Sequence, residues 1–128
     1  MPALSLNHIN IRAPLALLNQ LRDFYCDVLG LQVGDRPVVS SQGYWLYANE
    51  HALIHLSVSS PEELRQINTS TTLDHVAFTC TNLAAMSDTL QQLQIAFRHN
   101  AVPDSATRQL FFRDPAGNGV ELTFSSGE

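Results

Sequence analysis

Apolar and polar positions set up two segments that begin alike. Leu6-Asn7-His8-Ile9-Asn10-Ile11 and Leu73-Asp74-His75-Val76-Ala77-Phe78 each alternate as a strand does, with a histidine third, 67 residues apart. A helical period follows each. Leu17, Leu18, Leu21, Phe24, Tyr25, Val28 and Leu29 recur every three to four residues, with Pro14 near the entry and Gly30 at the close. In the second segment Asn82 suits an N-cap, and Leu83, Met86, Leu90 and Leu93 form the stripe. Short alternating runs come next, predicting strands over residues 31–38, 44–48 and 52–58, then over 96–102, 108–114 and 119–124. Turn-forming residues separate them at Ser41-Gln42-Gly43, Asn49-Glu50-His51, Pro103-Asp104-Ser105 and Pro115-Ala116-Gly117-Asn118.

Two βαβββ modules in tandem account for this pattern. Repeat 1 spans about 4–58 and repeat 2 about 73–125, inside a single domain of residues 1–128. The polar stretch 59–72, with Pro61-Glu62-Glu63-Leu64, reads as a linker with one helical turn. The class is α+β, and the modules are expected to form a curved, cupped mixed sheet around a metal site.

That site comes from the strand alternation. Side chains at every second residue share a face, so Ile9 and Ile11 oppose His8, Asn10 and Arg12, and Val76 and Phe78 oppose His75 and Ala77. Likewise Ile54 and Leu56 oppose His55 and Ser57, while Val120 and Leu122 oppose Glu121 and Thr123. The repeat offset maps His55 to position 122, one residue from Glu121. First and last strands of each half thus carry one ligand-type residue opposite an apolar row. Taken singly, each histidine is more often an ordinary surface or core residue; the set at repeat-related positions carries the argument. His8, His55, His75 and Glu121 are the candidate ligands of one divalent cation. His51 and His99 lack the repeat relation and are read as solvated.

Composition narrows the partners. With 7 basic and 12 acidic residues the formal net charge is −5, and the basic residues are scattered, which excludes the footprint of a nucleic-acid binder. No run reaches the apolar length of a membrane span, and Met1-Pro2-Ala3-Leu4-Ser5 is not read as a signal peptide. Cys26 and Cys80 show no metal or disulfide spacing and are expected as buried thiols of a cytoplasmic protein. Tyr44, Trp45 and Tyr47 are read as strand packing, and residues 114–119 as a turn without chemistry.

Four pieces carry a family resemblance: His8-Ile9-Asn10-Ile11; Asp23-Phe24-Tyr25 with Val28-Leu29-Gly30-Leu31; Asp74-His75-Val76-Ala77-Phe78; and Phe111-Phe112-Arg113-Asp114-Pro115-x-Gly117-Asn118-x-x-Glu121-Leu122. In that order they resemble the vicinal oxygen chelate superfamily of glyoxalases, extradiol dioxygenases, fosfomycin-resistance transferases and bleomycin-binding proteins. The tracts Gly43-Tyr44-Trp45-Leu46-Tyr47, Ile54-His55-Leu56 and Gln109-Leu110-Phe111-Phe112 look most like glyoxalase-like members. The resemblance implies one divalent metal ion (Zn, Ni, Co, Fe or Mn) on His8, His75 and Glu121, with His55 where glyoxalase I usually has a glutamate. It implies Glu121 as catalytic base and Arg12 as a substrate-binding group, matching an arginine that holds the glutathione carboxylate. Ser59 stands where the family has an asparagine, which together with His55 argues against a glutathione hemithioacetal substrate. The implied activity is a lyase or isomerase acting on a small-molecule substrate through two adjacent oxygens, by way of an enediolate-like state, in a homodimer. A ferrous extradiol dioxygenase uses the same His8, His75 and Glu121 as a facial triad. A thiol transferase and a metal-free bleomycin-resistance-like binding module are the further alternatives.

Overall fold

A computed structural model of the chain describes residues 2–125. By its internal packing the chain divides into two compact units, Met1–Arg65 and Gln66–Glu128. The first runs β1 (Ile9–Ala13), α1 (Leu15–Leu29), β2 (Gln32–Gly34), β3 (Gly43–Ala48) and β4 (His51–Val58). The second runs β5 (His75–Thr79), α2 (Leu83–Gln92), β6 (Arg98–Ala101), β7 (Arg108–Arg113) and β8 (Gly119–Phe124). Each is a βαβββ module with a four-stranded mixed sheet, ordered β1-β4-β3-β2 and β5-β8-β7-β6. The first and last strands of a module pair in parallel at its edge, and the rest are antiparallel.

Local chemistry sets the helix ends. Pro14, at φ −58° and ψ 153°, ends the extended backbone and has no N–H to leave unpaired at the helix start. Gly30 adopts φ 70°, which favours glycine, and donates its N–H to the Cys26 carbonyl at 3.0 Å. Asn82 caps α2 by accepting from the Ala85 N–H at 3.2 Å. Leu18, Leu21 and Tyr25 bury one face of α1, and Leu46, Ile54 and Leu56 form the buried row of the first sheet. Full burial of each stabilises by roughly 1.5–3 kcal/mol. In the second unit Leu90 of α2 and Leu110, Val120, Leu122 and Phe124 of the sheet are buried.

Several boundaries differ from the sequence expectation. The run 31–38 pairs only over Gln32–Gly34, because Pro37 offers no ladder donor and residues 35–42 leave the sheet. Leu93 is 44% exposed rather than part of the α2 stripe, since the helix ends at Gln92. The linker makes a turn at residues 61–62 and no helix. His8 lies one residue before β1.

Register refines the repeat. Asn10 pairs with His55 in the first unit, and Ala77 pairs with Glu121 in the second. Trp45 faces His55 across β3–β4, as Phe111 faces Glu121 across β7–β8. The offset is 67 from Asn10 to Ala77 but 66 from His55 to Glu121. His55 and Glu121 are therefore equivalent positions, where the linear offset leaves them one residue apart.

Candidate metal centre

Each module brings two of the four candidate ligands together on the sheet face opposite its buried row. In the first, the rings of His8 and His55 stack with centroids 3.6 Å apart and planes 12° from parallel. Trp45 stacks on His55 at 3.9 Å and 13°. Because β1 and β3 flank β4, the three rings form a pile with His55 in the middle. Burial among these rings holds the His55 pKa below the ordinary imidazole value, and the charge of His8 pushes the same way. A neutral imidazole is the form that ligates metals.

In the second module His75 Nε2 lies 3.0 Å from Glu121 Oε1. Glu121 is buried, whereas the His75 ring is partly open to solvent. Phe111 meets the His75 ring edge-on with centroids 5.7 Å apart, and the Arg98 guanidinium lies 4.4 Å over Phe111. The other oxygen of Glu121, Oε2, accepts from Gln109 Nε2 at 3.1 Å.

The residue before each first-strand histidine fixes its tautomer. His75 Nδ1 lies 2.8 Å from Asp74 Oδ2, and His8 Nδ1 lies 2.7 Å from Asn7 Oδ1. Both oxygens only accept, so both Nδ1 atoms carry the hydrogen and Nε2 is the nitrogen left for a ligand. The hydrogen bond to Asp74 raises the His75 pKa, and Glu121 adds to it. When protonated, His75 can donate to a carboxylate from each nitrogen, and a cation held by Nε2 and Oε1 would replace the proton shared between them.

The donor set fits a divalent cation. Three imidazoles and one carboxylate are ordinary ligands for Zn and for other first-row metals. The 3.0 Å between Nε2 and Oε1 matches two adjacent ligands at about 2.1 Å from one metal and about 90° apart. Among the described residues no three or more His, Cys, Asp or Glu side chains gather into a group that could hold a metal ion. His75 and Glu121 stand at ligand spacing. His8 and His55 instead stack face to face, so their in-plane lone pairs run nearly parallel and the rings must unstack to share a cation.

Arg12 is engaged elsewhere. Its Nε and Nη2 donate to the two oxygens of Glu63 at 2.7 and 2.6 Å, and Arg65 bonds the same carboxylate at 2.9 Å. The two guanidinium groups hold the Glu63 pKa down at about 2. Asn10, on the same face of β1, accepts from the Ser57 hydroxyl at 3.0 Å. His51 is the first residue of β4, exposed, and bonded to the Asn7 carbonyl rather than only to water. His99 is exposed on β6. Cys26 and Cys80 are free and half-buried, not fully buried. A cleft of about 610 Å³ beside the β2–β3 connection is lined by Leu15, Asn19, Arg36, Val38 and Tyr44, none of them a candidate ligand.

Sequence reasoning missed Trp45, Phe111, Gln109 and Asn100. Alternation places Trp45 and Phe111 on the polar faces, but only register shows that each lies directly opposite a candidate ligand. Tyr44, by contrast, points to the helix side, where its hydroxyl donates to Asn19 Oδ1 at 2.7 Å.

Comparison with known proteins agrees with this architecture. The chain belongs to the Glyoxalase/Bleomycin resistance protein/Dioxygenase superfamily, whose family model matches residues 5–122. Among solved structures it is similar to a glyoxylase/bleomycin resistance protein/dioxygenase domain from Frankia sp., with TM-score 0.75 and 16% identity over 96% of this chain and 98% of that one. It is similar to lactoylglutathione lyase from Agrobacterium tumefaciens, with TM-score 0.66 and 20% identity over 98% and 97%. The fosfomycin resistance protein FosX of Listeria monocytogenes, solved with Mn(II) and sulfate, gives TM-score 0.66 and 15% identity over 97% and 93%. At these identities the likeness is one of fold. Comparison with curated proteins gives no match.

Proposed function

We propose that the His8–His55 pair and the His75–Glu121 pair ligate one divalent cation, and that the protein is a glyoxalase-like lyase or isomerase. The pairs would meet within one chain or between the subunits of a homodimer with halves exchanged. One observation carries the reading: both first-strand histidines have Nδ1 tied to an acceptor on the preceding residue, which reserves Nε2 for a metal. Mn(II) in FosX supports a divalent ion, and lactoylglutathione lyase supports the reaction class.

The cation, when bound, supplies positive charge to two adjacent substrate oxygens. Glu121 is the base at the carbon beside the carbonyl. Its Oε1 takes the proton and returns it to the neighbouring position, so no external acid is needed. His8, His55 and His75 would still hold the ion with Oε1 engaged on the substrate, while Oε2 stays on Gln109. Trp45, stacked on His55, and Phe111, edge-on to His75, would supply apolar surface beside the ligands. Arg12 binds an anionic group of the substrate only by exchanging its bonds to Glu63. Metal analysis of protein purified without chelator should give one cation per site. Glu121→Gln should abolish turnover of 2-oxoaldehyde–thiol adducts while metal persists; unchanged activity removes Glu121 from this role.

A ferrous extradiol dioxygenase is the second reading, favoured by the ring pile beside His8, whose burial lowers the His55 pKa and suits it to an acid–base role. Anaerobic loading with Fe(II), followed by oxygen uptake on catechols, separates the two.

A further inference from the structure

Glu121 does not stand alone on its sheet. Gln109 Nε2 donates to its Oε2 at 3.1 Å, and Asn100 Nδ2 donates to Gln109 Oε1 at 2.6 Å. The three residues occupy β8, β7 and β6, adjacent strands of one sheet. Asn100 pairs directly with Gln109 in the β6–β7 register, and Phe111, two residues on, pairs with Glu121. The direction of the chain is fixed by chemistry. An ionised carboxylate only accepts, so Gln109 must turn its amide nitrogen toward Glu121. Its carbonyl oxygen is then left facing β6, where it needs a donor, and Asn100 supplies one. At the other end Glu121 Oε1 faces His75 Nε2 at 3.0 Å.

We propose that Gln109 and Asn100 are positioning residues that pin Oε2 of Glu121, so that the carboxylate offers the cation a single oxygen, Oε1; this rests on the metal-centre reading above. A carboxylate free to rotate about its last bond presents either oxygen or both. With Oε2 held by Gln109, Glu121 would offer a bound cation Oε1 alone and leave room for a substrate oxygen. The polar partners sit on the ordered β7–β8 ladder rather than on a loop, which gives the restraint its rigidity. Gln109 has no reason to be polar for burial alone, since its neighbours on the opposite face, Leu110 and Phe112, already supply the core.

The test is calorimetric titration of metal-free protein with Zn(II), supported by the visible spectrum of the Co(II) form. Gln109→Met keeps the length of the side chain and removes its donor. It should lower Zn(II) affinity by about 10- to 100-fold, the usual cost of deleting a partner of a metal ligand, and should alter the Co(II) absorption. Asn100→Ala should shift affinity the same way by a smaller factor. In a Glu121→Gln background, where the histidines alone hold the ion, Gln109→Met should change affinity little. If wild type binds Zn(II) and Glu121→Gln weakens it while Gln109→Met does not, the positioning role is overturned and the metal centre stands. An equal loss from Gln109→Met in both backgrounds marks a general structural effect and overturns it too. If wild-type protein takes up no metal, the metal-centre reading fails first. Asn100→Ala, on the edge strand β6, keeps the question open to measurement if Gln109→Met unfolds the protein.

Discussion

Replacing Asp114 tests whether the motif before the last strand is architecture or chemistry. Asp114 is 5% exposed, and its Oδ1 accepts from the N–H groups of Ala116 and Asn118, both at 2.9 Å. Its Oδ2 accepts from Asn118 Nδ2 at 3.0 Å. The same turn closes through Asp114 N–H to the Asn118 carbonyl at 3.0 Å and Gly117 N–H to the Asp114 carbonyl at 2.8 Å. Gly117 sits at φ 89°, where a side chain would also strike Asn68. Hydrogen bonds to a charged acceptor contribute about 1.5–3 kcal/mol each, and a stranded buried donor costs about 1–3. Partial opening of the turn to water relieves some of that, so Asp114→Ala should cost about 3–5 kcal/mol. Asp114→Asn keeps one acceptor oxygen for the backbone and should cost about 1–2 kcal/mol, by the same magnitudes. Against a typical total of about 5–15 kcal/mol, the alanine variant is near the edge of folding. Urea unfolding of the metal-free protein, followed by circular dichroism with equal slopes, measures both. A loss under about 1 kcal/mol for Asp114→Ala, or equal losses for the two variants, refutes the reasoning.

Two further outcomes follow from close approaches and charge. Gly119 pairs with His75, and a Cβ there would strike the Asp74 carbonyl oxygen and lie 3.0 Å from His75 Cβ. Gly119→Ala should therefore destabilise by about 1–3 kcal/mol and weaken Zn(II) binding; an unchanged melting temperature would contradict the geometry. Glu63 has its pKa lowered from 4.5 to about 2 by Arg12 and Arg65. Its contribution to stability is present in full above pH 4.5 and is lost as pH falls toward 2. An acid titration of the melting temperature should show a loss between those values that is smaller in Glu63→Gln, and identical profiles would deny the ion pair any role.

Local pattern was enough to read the two modules, both ends of α1, the N-cap of α2 and the face on which each candidate ligand lies. It did not give the end of α2, which stops at Gln92 before the expected Leu93. Period-two alternation and repeated Asn7-His8 and Asp74-His75 dipeptides are local features, and local backbone geometry obeys them. The Pro14 entry and Gly30 exit of α1 were legible for the same reason. What a side chain touches across strands is not local. It depends on register, and one residue of slip changes every neighbour. Hence the offset of 66 that makes His55 and Glu121 equivalent, the Trp45 ring on His55, and the Asn100–Gln109–Glu121 chain came only from the sheets. Arg12 shows the limit most directly. Alternation put it on the ligand face, but its partner Glu63 lies 51 residues away in the linker, and only the folded chain could bring that carboxylate to its guanidinium.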